Sequence, residues 1–140
     1  MSAVPTSSPS AADLVRRSLE ALSALAVQFL LGMGANLLGS PEENVGVARV
    51  VAGIVLGLHA LVGIGVVVTA VRVWLTARRE HVAQRAALAA FVVIVLTFLA
   101  GVGTMMSGSA WLSFLMSAGF VAAAVLDVVV GARALAERAS

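Results

Sequence analysis

The sequence predicts an all-α membrane protein, a bundle of four transmembrane helices arranged as two tandem hairpins with both termini cytoplasmic. Three observations predict it. The chain of 140 residues is 61% hydrophobic and 11% charged, with a mean hydropathy of +1.06. A soluble domain carries about 25% charged residues, and so few charges do not cover a water-facing surface. The charges fall in bands that leave residues 21–41, 50–71 and 86–126 without any. All nine basic residues are arginine, and eight of them flank one side of the uncharged stretches. This composition excludes a soluble enzyme, a disordered tail protein and, with no cysteine, a disulfide scaffold.

Residues 1–17 open the chain with small, polar and proline-interrupted sequence and are predicted to be a disordered cytoplasmic tail. Glu20 interrupts the apolar run behind Arg16-Arg17, and no clean Ala-x-Ala site follows, which argues against a cleaved signal peptide. The transmembrane domain is placed at 18–133. A helix rises about 1.5 Å per residue, so about 20 residues cross a hydrocarbon core of about 30 Å. The predicted spans are 18–38, 47–73, 86–106 and 110–132, the last two divided at Ser107-Gly108-Ser109. Residues 134–140 form a second cytoplasmic tail. Arginine sets the orientation: Arg16, Arg17, Arg72, Arg78, Arg79, Arg85, Arg133 and Arg138 share one side, and only Arg49 lies on the other. The cell membrane is therefore the expected location. The net charge of +2 reports topology and contact with anionic lipid, not nucleic-acid binding.

An internal repeat supports the tandem hairpins. Phe29–Ser40 overlays Phe98–Ser109 without a gap and matches at six of twelve positions, Phe, Leu, three Gly and Ser. Both segments end a span that runs outward, which relates the hairpins by an axis along the membrane normal.

In lipid, helices associate through small residues and interhelical hydrogen bonds, so these mark the interior. The expected contact faces are Ala24, Gln28, Gly32 and Asn36 on the first span, and Gly53, Gly57 and Ala60 on the second. Ala90, Thr97, Gly101, Thr104 and Gly108 serve on the third, and Ser113, Ser117, Phe120, Ala124, Asp127 and Gly131 on the fourth. Trp74 and Trp111 fall at opposite interfaces.

Two ionisable groups lie inside spans and are functional candidates for that reason. His59 sits midway along the second span; Asp127 sits near the cytoplasmic end of the fourth. Helical rise separates them by roughly 12 Å in depth, so they are not expected to touch. His59 shares its depth with Gln28 and Thr97, and either hydrogen-bonds one of them or serves as a ligand or proton group. Asp127 is expected to pair with Arg72 or Arg133, whose long side chains reach the headgroups. Met33, Met105, Met106 and Met116 gather in the outer half, as packing or as the lining of an apolar pocket.

The run Gln28-x-x-x-Gly32, a Gly-Ser outer turn and His59-Ala-Leu-x-Gly63 on the next span resembles one helix pair of the heme A synthase family, over residues 27–72. The resemblance implies four-helix bundles with membrane histidines that bind heme, and His59 as the corresponding ligand. The second hairpin departs from it: it has no histidine, and Phe120 sits near the corresponding depth. Heme would then need a single ligand, a methionine partner or a homodimer. No metal site is otherwise indicated, because no His, Asp and Glu cluster has ligand spacing.

Without paired carboxylates or a nucleophilic set at one depth, the residues favour a non-enzymatic protein. The first reading is an accessory or assembly subunit that binds a partner protein or lipid, the partner being another membrane protein or, in a homo-oligomer, further copies of the same chain. The alternatives are a heme- or quinone-linked electron-transfer protein using His59, and a small transporter with its site near Gln28, His59 and Thr97.

Overall fold

The computed structural model describes residues 9–139 and contains four long helices, α1 (Pro9–Leu38), α2 (Gly46–Glu80), α3 (Gln84–Ser107) and α4 (Ala110–Ala139), with one short 3-10 turn, Pro41–Glu43, between the first two. All four are long and apolar enough to cross a membrane. Each helix touches its neighbours in sequence, and α1 also touches α4, whereas the diagonal pairs α1/α3 and α2/α4 do not meet. The helices therefore stand in a closed square of antiparallel neighbours, with α1–α2 and α3–α4 as the two most extensive interfaces. One end of the square carries most of the arginines and is called the arginine end here; the other carries the Gly-Ser turns.

The helices outrun the predicted spans at the arginine end. Residues 9–17, expected to be tail, form the first turns of α1, while residues 1–8 lie outside the described residues. Two features hold these turns: Leu14 is completely buried, and Asp13 pairs with Arg16 at 2.7 Å and Arg17 at 3.3 Å, one helical turn away. The second expected tail is likewise helical to Ala139, with Ala134 buried against Leu14, Val73 and Ala77. α2 continues seven residues past the predicted boundary, so that the middle loop shrinks to His81-Val82-Ala83. At 35 residues, α2 is about 52 Å long, which carries Arg78 and Arg79 clear of a hydrocarbon core of about 30 Å.

The Gly-Ser end explains part of the internal repeat. Gly39 (φ +71°) and Gly108 (φ +64°) both end a helix in the left-handed conformation that suits glycine. Each donates its N–H four residues back, to Ala35 O at 3.1 Å and to Thr104 O at 2.8 Å, positions that correspond in the repeat. Asn44 then closes the longer first turn, donating from Nδ2 to Leu38 O at 2.8 Å and to Ser40 O at 2.9 Å.

The core is rich in alanine. A layer at the arginine end comprises Leu14, Ala21, Val73, Ala77, Ala87, Val130 and Ala134; a middle layer comprises Leu25, Val66, Ala70, Ile94 and Ala123. Small side chains on all four helices let the backbones approach closely, the packing that replaces hydrophobic drive in lipid. Outward positions hold large apolar residues such as Leu30, Leu61, Leu96 and Val121, all at least 60% exposed, as lipid contact requires.

The contact faces differ from the expected ones on three helices. Gly53 and Gly57 point away from the bundle, with nothing within 4 Å of a Cβ placed on either; α2 instead packs through Ala52, Gly63, Val66, Ala70, Val73 and Ala77. On α1 the buried stripe runs Leu14, Ser18, Ala21 and Leu25, continues to the half-buried Gln28 and Gly32, and ends at Asn36, which lines the interior cavity but is exposed. Steps of four advance about 40° beyond a full turn each time, so a strict four-residue repeat drifts off the inward face. The alternating steps of α3 and α4 do not drift: α3 packs through Ala87, the expected Ala90 and Ile94, whereas α4 packs through Ala123, Asp127, Val130 and Ala134, a stripe one residue off phase that shares only Asp127 with the expected one and leaves Ser117 exposed. Trp74 stacks on Phe91 with ring centroids 5.5 Å apart, whereas Trp111 is 75% exposed at the opposite end.

Candidate functional site in the bundle interior

Above the middle layer, toward the Gly-Ser end, the square of helices encloses a cavity of about 590 Å³ with walls from all four. Its existence follows from the topology: the diagonal pairs do not touch, and here the inward positions hold glycine, threonine and serine. Gln28, Gly32, His59, Thr97, Gly101 and Met116 line it, with Phe29 and Phe120 at the α1–α4 seam, their rings 5.5 Å apart.

Gln28 and His59 form a reciprocal clasp between α1 and α2. Gln28 Nε2 donates to His59 Nε2 at 3.3 Å, which leaves the imidazole proton on Nδ1. Each side chain lies over a glycine of the other helix, four residues along. A Cβ at Gly32 would sit 3.0 Å from His59 Cε1, and one at Gly63 would sit 3.2 Å from Gln28 Nε2. The pattern Gln-x-x-x-Gly facing His-x-x-x-Gly is thus a pair of knobs and notches in antiparallel register. Gln28 Oε1 and His59 Nδ1 remain buried without a partner. A double-mutant cycle with Gln28→Leu and His59→Phe is expected to give a coupling of about 0.6 kcal/mol, and no more than about 1.7, by denaturation in detergent.

The second hairpin repeats this architecture with different chemistry. Thr97, which corresponds to Gln28 in the repeat, lies against Gly119 of α4; Met116 lies against Gly101, which corresponds to Gly32. Met116 thereby takes the place of His59. Thr97 makes no bond to His59: its hydroxyl donates to Val93 O at 2.7 Å on its own helix. Thr104 and Ser117 do the same, to Ala100 O at 2.9 Å and Ser113 O at 3.0 Å. These hydroxyls donate their hydrogen to carbonyls of their own helices, so Thr104 contributes little as interhelical glue. Met33, Met105 and Met116 line the cavity, while Met106 is 84% exposed.

The expected heme ligand has a specific geometry here. His59 Nε2 is held by Gln28, and Nδ1 would lie 3.4 Å from a Cβ at Gly32, so both ring nitrogens face α1 and neither faces across the cavity. The residues as placed do not present a free ring nitrogen to a heme in the cavity.

Asp127 lies in a different place, at the boundary of the two core layers, separated from the cavity by Ala123. It is completely buried, and neither carboxylate oxygen has a hydrogen-bond partner among the described residues. The pairing with Arg72 or Arg133 is not formed. Both arginines are exposed, and the ion pairs found among the described residues join Asp13, Arg16, Arg17 and Glu20 on α1. Helix rotation accounts for this: Arg72 precedes the inward Val73 by one residue, and Arg133 precedes the inward Ala134. Each therefore leaves its helix about 100° from the core direction.

Fold and site together define a small four-helix membrane protein with an interior apolar cavity in one half and a buried carboxyl in the other. No known protein family, curated protein or solved structure matches the chain.

Proposed function

We propose that this protein is a lipid-binding accessory protein of the membrane, with the arginine end in the cytoplasm, which takes the apolar portion of a lipid-like ligand into the cavity near its Gly-Ser end. The observation that carries this reading is the cavity itself. At about 590 Å³ it falls within the range of small-molecule sites, about 300–1,000 Å³. Most of its walls are methionine, phenylalanine, leucine, isoleucine, valine and alanine, with Gln28, Asn36 and His59 as polar exceptions and the Thr97, Thr104 and Ser117 hydroxyls engaged on their own helices. Flexible methionines adapt to chains of varied shape. Half-exposed Phe29 and exposed Val121 at the α1–α4 seam supply a lateral route from the bilayer.

The test is equilibrium binding of a fluorescent fatty-acid probe to the detergent-purified protein. Ala60 lines the cavity, and Ala60→Phe fills part of it. Loss of at least tenfold in affinity, about 1.4 kcal/mol, is expected in Ala60→Phe with an unchanged denaturation midpoint. Equal affinity in the two proteins contradicts a ligand in the cavity. A Soret band in the purified wild type, lost in His59→Ala, also contradicts it and favours heme.

A further inference from the structure

The arginine half of the molecule contains a second feature that lipid binding does not use. Asp127 and Ser18 line a groove of about 210 Å³ in the α1–α4 seam, flanked by Val15, Leu19, Leu22 and Val128. Asp127 is 0% exposed and Ser18 1% exposed, and Ser18 Oγ, like both carboxyl oxygens, has no hydrogen-bond partner. Gly131, one turn beyond Asp127, makes room for Ser18, whose Cβ would lie 3.5 Å from a Cβ placed there.

Three unpartnered polar atoms in one groove constrain what it can hold. An ionised carboxylate without a counter-charge or donor is the costliest state a buried group can adopt, and the neutral acid is far less costly. Calcium or magnesium needs about six oxygen ligands and zinc about four ligands, usually with nitrogen or sulfur among them, and two carboxyl oxygens and one hydroxyl fall short of either. The charged residues on the surrounding elements do not face Asp127. Arg17 is bonded to Asp13, while Arg16, Glu20, Arg72, Arg85, Arg133, Glu137 and Arg138 are exposed. The helices around Asp127 present Ala21, Ala70, Val73, Ala87, Ala90 and Val130 to the core. The ligand this chemistry fits is a proton.

We propose that Asp127 is an intramembrane proton-binding site, a neutral carboxylic acid that exchanges its proton with water entering by the α1–α4 groove, which leaves as hydronium and returns the proton the same way. The groove wall includes exposed Leu19, Val128 and Leu135, so the acid sits one side chain beneath the lipid-facing surface. The Ser18 hydroxyl lines the same groove and offers both an acceptor and a donor beside the route.

Dicyclohexylcarbodiimide tests this in the full-length protein reconstituted into phosphatidylcholine vesicles. This apolar reagent reacts with the protonated carboxyl: the acid's proton moves to a carbodiimide nitrogen, and its oxygen adds to the central carbon. Peptide mass mapping is expected to place the adduct on Asp127 and not on exposed Glu20, Glu42, Glu43 or Glu137. The rate is expected to fall about tenfold for each pH unit above the deprotonation midpoint. Asp127→Asn, a neutral side chain of the same shape, should lose the adduct while keeping its denaturation midpoint, and Ala132→Trp in the groove wall should slow labelling severalfold. An unlabelled Asp127 at acidic pH overturns the proposal. So does labelling whose rate is unchanged from acidic to alkaline pH, which marks a locked acid, or labelling that Ala132→Trp leaves unaltered.

Discussion

Alanine at position 119 is expected to force α3 and α4 apart, although it adds a single methyl group. A Cβ there would overlap Thr97 Oγ1 and lie 3.3 Å from Thr97 Cβ. Thr97 has little freedom to yield. It is β-branched, and its hydroxyl is fixed by the 2.7 Å bond to Val93 O. The helices cannot slide to relieve the overlap either, because only Gly108 and Ser109 join them. Overpacking of this kind costs about 1–3 kcal/mol. Thermal denaturation of the detergent-solubilised protein should show that loss in Gly119→Ala and recovery of most of it in the double variant with Thr97→Ala. Gly53→Ala, with nothing within 4 Å of the added carbon, should stay within about 0.5 kcal/mol of wild type. A Gly119→Ala protein as stable as Gly53→Ala would mean that the α3–α4 interface is not packed as described.

Valine at position 127 is expected to act in the opposite direction. Asp127 is fully buried with both oxygens unpartnered, so its carboxyl contributes desolvation cost without a compensating bond. Valine is close in size and matches the neighbouring Ala123 and Val130 in character. Removing an unpaired buried polar group should stabilise the bundle by about 1–3 kcal/mol, read from the same denaturation midpoint. The sign of the change is decisive. Destabilisation by a comparable amount would show that the carboxyl holds the bundle together through a partner, as the expected pairing with Arg72 or Arg133 required. A stabilising substitution instead sets Asp127 among groups retained at a cost in stability.

The four spans were readable because the bilayer imposes a fixed length on any uncharged stretch, and the bands between Glu20, Glu42, Arg49 and Arg72 express it directly. The helix ends were not, because past the hydrocarbon core that constraint lapses and local packing, here Leu14 against Ala134, decides how far a helix runs. The contact between Gln28 and His59 was readable from their common depth. Asp127 was readable as an inward residue from alternating steps of three and four. The missing partner of Asp127 was not, since an arginine one residue from the core stripe reaches it or misses it according to helix rotation. Gly53 and Gly57 misled for a related reason: a small-x-x-x-small pair permits close packing without choosing the face. The alanines that do pack, Ala52, Ala70 and Ala77 on α2, are hard to separate from lipid-facing valine by hydropathy alone. The cavity needed the topology, because small inward residues leave a void only once the diagonal helices are known not to meet.

Mass-spectrometric measurement of lipid co-purifying with the wild-type protein and with Ala60→Phe, from the same membranes and detergent, bears most directly on the role assigned to the cavity. A cavity ligand predicts one enriched class of lipid in fixed ratio to the wild-type chain, and its depletion at least tenfold in Ala60→Phe. The same lipid content in both proteins, equal to the surrounding detergent extract, would contradict it.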